Sequence, residues 1–138
     1  MTLMVAAAQF AAASDKVANR DTIRELVGDA AARGAELVVL PENAMYSHPD
    51  FAHDLLPIAE SLDGAFVGFL QHLAGEHGVA IVAGMTELAA SGEKVHNTVV
   101  AVDASGVLAR YRKIHLYDAF GFTESTTVQR GEVEDGST

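Results

Sequence analysis

Cysteine is absent from the 138 residues, which excludes a disulfide framework and a thiolate metal cluster. That absence leaves the compartment open. Basic residues are scarce: 9 Lys and Arg stand against 19 Asp and Glu, for a formal charge of -10. A chain this acidic is poorly suited to the phosphate backbone of a nucleic acid or to an anionic membrane surface. No apolar run approaches the roughly 18 to 20 residues of a membrane span. The start, Met1-Thr2-Leu3-Met4-Val5, lacks the basic region of a signal peptide. There is no G-x-G-x-x-G loop for a dinucleotide, no internal repeat and no low-complexity segment. What is present is ordinary globular material, 49% apolar and 20% charged. The length fits one domain with a sizeable core, and a cytoplasmic location is expected.

Along the chain, Leu3 to Phe10 is an apolar run of strand length. Ser14 or Asp15 can cap a helix whose residues Ile23, Leu26, Val27, Ala30 and Ala31 form one stripe, with Gly34 at its C-terminal end. Glu36 to Leu40 is a second strand, ended by Pro41, which cannot donate to a ladder. Strand, helix, strand predicts a βαβ unit with parallel neighbours. Asn43 to Pro57 reads as a polar loop spotted with aromatics, followed by a helix carrying Ala65, Phe66, Phe69, Leu70, Leu73 and Ala74 and stopped at Gly78. Val79 to Met85 is another buried strand. Val95 to Asp103, a turn at Ala104-Ser105-Gly106 and Val107 to Arg112 read as an antiparallel hairpin. Beyond Ile114 the residues turn polar, and after Thr127 they read as loop. The expected fold is α/β, a mixed sheet flanked by helices.

Three charged residues sit where chemistry is possible. Glu42 follows a parallel strand, at the carboxyl end where α/β sheets bind ligands. Lys113 ends the last hairpin strand, and Glu124 lies among aromatics in Phe122-Thr123-Glu124-Ser125. Taken singly, each reads more readily as a surface carboxylate or a snorkelling lysine. Asn43, Tyr46 and Phe120 can line a cleft or simply pack. His48 with His53, and His72 with His77, are five apart rather than the three or four that put metal ligands on one helix face, and they read as surface histidines. His115, two residues past Lys113, reads as a structural strand-end histidine.

Taken together, the segments resemble a known family. Ala35-Glu36-Leu37-Val38-Val39-Leu40-Pro41-Glu42-Asn43 resembles the first signature of the nitrilase superfamily of carbon–nitrogen hydrolases, and Tyr111-Arg112-Lys113-Ile114-His115-Leu116-Tyr117-Asp118 resembles the second. Gln9 at the end of the first strand, Asn97 in the hairpin and Glu124-Ser125 also match. The resemblance implies an α-β-β-α sandwich with a Glu–Lys–Cys site hydrolysing a small carboxamide, without metal or organic cofactor, in a homo-oligomer. It implies Glu42 as general base, Lys113 as the cation for the tetrahedral intermediate, and Glu124 as the carboxylate positioning lysine and substrate. Asn43, Tyr46 and Phe120 would contact substrate. The family's nucleophilic cysteine, expected after the Glu124 region, has no counterpart here, so residues 1–138 are expected to be a partial domain. The alternative expectation is a catalytically inactive half-domain that binds a metabolite or a partner subunit.

Overall fold

A computed structural model describes residues 2–50 and 53–132. A five-stranded sheet runs in the order β1 (Val5–Ala7), β2 (Leu37–Val39), β3 (Ala80–Leu88), β4 (Val95–Asp103), β5 (Gly106–Arg112). The first three strands are parallel, and β4 and β5 join antiparallel, so the sheet is mixed as the sequence predicts. Two crossover helices supply the parallel connections: α1 (Lys16–Ala32) between β1 and β2, and α2 (Ala65–His77) between β2 and β3. Asp15, not Ser14, caps α1, accepting from the backbone N–H groups of Val17 and Ala18. Gly34 and Gly78 leave the two helices at φ 88° and 65°, the left-handed geometry a glycine adopts without a Cβ clash.

Strand alternation sorts the sheet into two unlike faces. Val38, Ile81, Ala83, Met85, Val100 and Val102 point to one face, where they are buried with Ile23 and Val27 of α1 and Phe66, Leu70 and Leu73 of α2. The helices pack on this face and on each other. The opposite face carries Val5, Leu37, Val39, Val82, Val99, Ala101 and Tyr111, paired in register across the strands. These residues are half-buried or exposed, and no layer covers them among the described residues. No described helix is long and apolar enough to cross a membrane.

The first two strands, three residues each, are shorter than the apolar runs that announce them, although single backbone bonds such as Ala8 N–H to Val39 O and Leu40 N–H to Val82 O carry the contact beyond their ends. The polar stretch beyond Ile114, to which the sequence assigns no element, contains a short hairpin of β6 (Asp118–Ala119) and β7 (Phe122–Thr123). Its two turn residues, Phe120 and Gly121, take φ 53° and 82°, the pair of positive angles that a two-residue hairpin loop needs. A phenylalanine rarely adopts such an angle, so glycine at one position gave little warning of the turn.

Candidate active site

Glu42 is delivered by the extension of β2. Leu40 N–H donates to Val82 O, and Gly84 N–H donates to Pro41 O, so the chain beyond β2 stays laced to β3. A Cβ on Gly84 would lie 1.4 Å from the Glu42 carbonyl oxygen, so the loop crosses the strand where only glycine leaves room. Asn19 of α1 braces the same loop from below, its side-chain amide donating to Met45 O and Ala13 O. Lys113 continues β5 by one rung, its N–H donating to Asn97 O at 2.8 Å. Glu124 opens a short 3-10 turn after β7. Its carboxylate is fixed by the backbone N–H of Tyr117 at 2.6 Å.

These three elements meet at one end of the sheet. Lys113 Nζ lies 3.4 Å from Glu42 Oε1 and 3.1 Å from Glu124 Oε2. Asn97 Nδ2 donates to the same Glu42 Oε1 at 2.7 Å. The lysine is one-third exposed, Glu124 is nearly buried and the Glu42 side chain is 60% exposed. Partial burial alone would lower the Lys113 ammonium; hydrogen bonding and charge from Glu124, then from Glu42, outweigh it and hold the lysine above its ordinary range. Lys113 is therefore a fixed cation at neutral pH.

A cleft of about 580 Å³ opens over the triplet. Asn43, Tyr46 and Phe120 all line it. Asn43 is exposed on its wall, Tyr46 is buried with its hydroxyl 3.5 Å from His53 Nε2, and Phe120 stands at the hairpin tip with 98% of its surface free. His48 and His53 also line the cleft, half-buried and stacked with ring centroids 3.8 Å apart. Their surface reading is thereby corrected: both rings are half-buried in the cleft and stacked on each other. His115 is exposed and outside the lining. Among the described residues no three His, Asp or Glu side chains are grouped to hold a metal ion.

One charged pair next to the site escaped sequence reasoning. Glu87 of β3 is buried and accepts from Arg112 Nε at 2.9 Å, Arg112 Nη2 at 2.5 Å and Thr98 Oγ1 at 2.7 Å. A carboxylate inside an apolar strand, with arginine beside the singled-out lysine, was the available signal.

Comparison with known proteins gives a consistent picture. The family model described as carbon-nitrogen hydrolase matches residues 4–136. A hydrolase of Mycobacterium tuberculosis is 39% identical over 132 residues, covering 94% of this chain and 46% of that protein. A deaminated glutathione amidase of Escherichia coli O157:H7 is 35% identical over 130 residues, covering 94% of this chain and 49% of that protein. Among solved structures, a carbon-nitrogen hydrolase from Helicobacter pylori G27 superposes with a TM-score of 0.82 at 24% identity, over 95% of this chain and 45% of that one. The chain spans about half the length of the curated relatives it matches.

Proposed function

The chain belongs to the carbon–nitrogen hydrolase family, and we propose that it carries the base and the oxyanion-binding cation of an amidohydrolase site for small carboxamides. The observation that supports this reading is Lys113 Nζ held between two carboxylates, 3.4 Å from Glu42 and 3.1 Å from Glu124, at the floor of the cleft. Glu42 is the exposed member of the pair and acts as the base; Glu124, nearly buried and anchored by the Tyr117 N–H, holds the lysine in place.

The chemistry needs a thiol, which the chain does not contain. A cysteine supplied opposite the cleft passes its proton to Glu42 as its sulfur bonds to the amide carbon. A thiol with a pKa of about 8.5 is only a few per cent ionised at neutral pH, so a carboxylate within reach assists the step. The C=O electron pair moves to oxygen, and the Lys113 ammonium stabilises the oxyanion. Aiming such a donor at developing charge is worth about 3 to 4 kcal/mol in comparable sites. The intermediate then collapses, expelling the amine with the proton from Glu42. Water, deprotonated by Glu42, hydrolyses the thioester and regenerates the thiol.

The test is a fusion of this chain to the C-terminal half of the Mycobacterium tuberculosis relative, which supplies the length that the chain does not span. Ammonia release from short carboxamides is expected from the fusion and not from the chain alone. A folded fusion that is silent towards amides and carbamoyl compounds overturns the reading. A second reading takes the same cleft, with the exposed Asn43 and Phe120 on its wall, as the place where an inactive half-domain binds a metabolite or a partner subunit. Saturable binding of a small carboxamide by the chain, abolished by Lys113→Ala and accompanied by a silent fusion, would support it.

A further inference from the structure

We infer that Asn97 is the positioning residue of this site: its carboxamide clamps one oxygen of Glu42 beside Lys113 and leaves the other free to take the nucleophile's proton. The role rests on the reading of Glu42 as base. Glu42 stands on a loop with a largely exposed side chain, and fixing such a side chain costs rotamer entropy. Lys113, at 3.4 Å, is at the long edge of hydrogen-bond range and is drawn the other way by Glu124. The strong contact to Glu42 is the one from Asn97 Nδ2, at 2.7 Å the distance of a charge-assisted bond. It goes to Oε1, the atom that also faces the lysine, while Oε2 has no hydrogen bond to any described residue.

The same residue reaches the lysine through its main chain. Asn97 lies inside β4, opposite Thr86 of β3, and its carbonyl accepts the Lys113 N–H at 2.8 Å. One strand position thus sets the separation of base and cation, from side chain to Glu42 and from backbone to Lys113. The chemistry of an amide suits the task. A second ammonium at this place would compete with Lys113 for the carboxylate, and a carboxylate would repel it. A neutral donor orients Glu42 without adding charge. Placing a base within about 0.5 Å is what such rigid supporting contacts achieve.

The test is a double-mutant cycle on this chain, with Asn97→Leu and Glu42→Gln made singly and together. The readout is titration of the Lys113 ammonium, followed by NMR at its Cε and Hε atoms. Asn97→Leu is expected to lower the titration midpoint towards the ordinary lysine value, because an unclamped Glu42 spends less time beside the ammonium. Glu42→Gln lowers it by removing the charge, and Asn97→Leu then adds nothing. A midpoint unmoved by Asn97→Leu, or moved as far in the Glu42→Gln background as in the wild type, overturns the clamp. Asn97→Ala serves in the same cycle if leucine disturbs the amide spectrum of β4. The readout needs no turnover, so the clamp and the amidase reading stand or fall separately.

Discussion

Replacing Arg112 by leucine removes the guanidinium that neutralises Glu87, and the structure sets the size of the effect. The Glu87 side chain is 4% exposed and accepts two hydrogen bonds from Arg112 and one from Thr98. Stranding one charge of a buried pair costs about 3–5 kcal/mol. Arg112 is itself 32% exposed, so its loss admits water, and Thr98 keeps its bond; both place the cost at the lower end. We expect about 3 kcal/mol at pH 7. With a urea slope of about 2 kcal/mol per M, the unfolding midpoint falls by roughly 1.5 M.

The pH dependence separates this cause from lost packing. Burial alone would raise the Glu87 carboxyl, but Arg112 and Thr98 outweigh it and hold the group below the ordinary glutamate range. A carboxylate depressed in this way stabilises the fold above its unfolded value, about pH 4.3, and the contribution drains away as pH falls through the folded value. In Arg112→Leu burial dominates instead, the folded state takes up a proton more readily than the unfolded one, and the deficit shrinks on acidification. Urea unfolding of wild type and variant at pH 7 and pH 4 measures both effects. Glu87→Gln, which leaves a hydrated arginine and no buried charge, should cost only about 1–2 kcal/mol. A deficit below about 1 kcal/mol, or one equal at the two pH values, refutes the reasoning.

In the active fusion, Lys113→Ala should lower kcat about 100- to 1,000-fold with little change in KM, and Lys113→Arg should rescue poorly, because a planar fork does not fit an ammonium's place between two carboxylates; near-normal turnover in either variant removes the oxyanion role. Gly84→Ala should destabilise the chain by about 1–3 kcal/mol in urea unfolding, since a Cβ placed 1.4 Å from the Glu42 carbonyl oxygen must push the loop away; a neutral result would mean that the loop yields freely. The chain alone should self-associate in sedimentation velocity despite its charge of -10, because one sheet face exposes Val5 and Tyr111 beside half-buried Val39, Val82 and Val99. A compact monomer with cooperative unfolding would shift the weight to the binding-module reading.

The fold was legible wherever one periodicity ruled. β4, Val95–Asp103, coincides with its sequence reading, Asp15 caps α1 through its carboxylate, and Gly34 and Gly78 sit at the helix ends that their backbone freedom predicts. The β6–β7 hairpin was not legible, because two-residue strands are too short to show alternation and Phe120 occupies a turn angle it normally avoids. Glu42, Lys113 and Glu124 are 71 and 11 residues apart along the chain, so their meeting depends on non-local pairing that no local pattern reports. Only the family resemblance singled them out jointly. The stacked His48 and His53 and the Glu87–Arg112 pair had neither a local pattern nor a motif to announce them.

The two carboxylate sites are linked by the two-residue period of the strands that build them. Thr98 and Arg112 are cross-strand partners, and both side chains go to Glu87 on the helix-packed face. The next positions, Asn97 and Lys113, both go to Glu42 at the cleft. Adjacent residues on β4 and at the end of β5 thus serve opposite faces, and a slip of one residue in either strand would exchange their tasks. The residue types are not interchangeable. Arginine's rigid fork matches a buried carboxylate with two bonds, whereas lysine's compact ammonium fits between two carboxylates. The Glu87–Arg112 bridge holds Arg112 on one face, and the alternation of the strand brings Lys113 out on the other, where its N–H bonds to Asn97 O. If that bridge also steadies its neighbour, Arg112→Leu should lower the titration midpoint of the Lys113 ammonium towards the ordinary lysine value while the variant remains folded, and an unmoved midpoint would show that the two faces are independent.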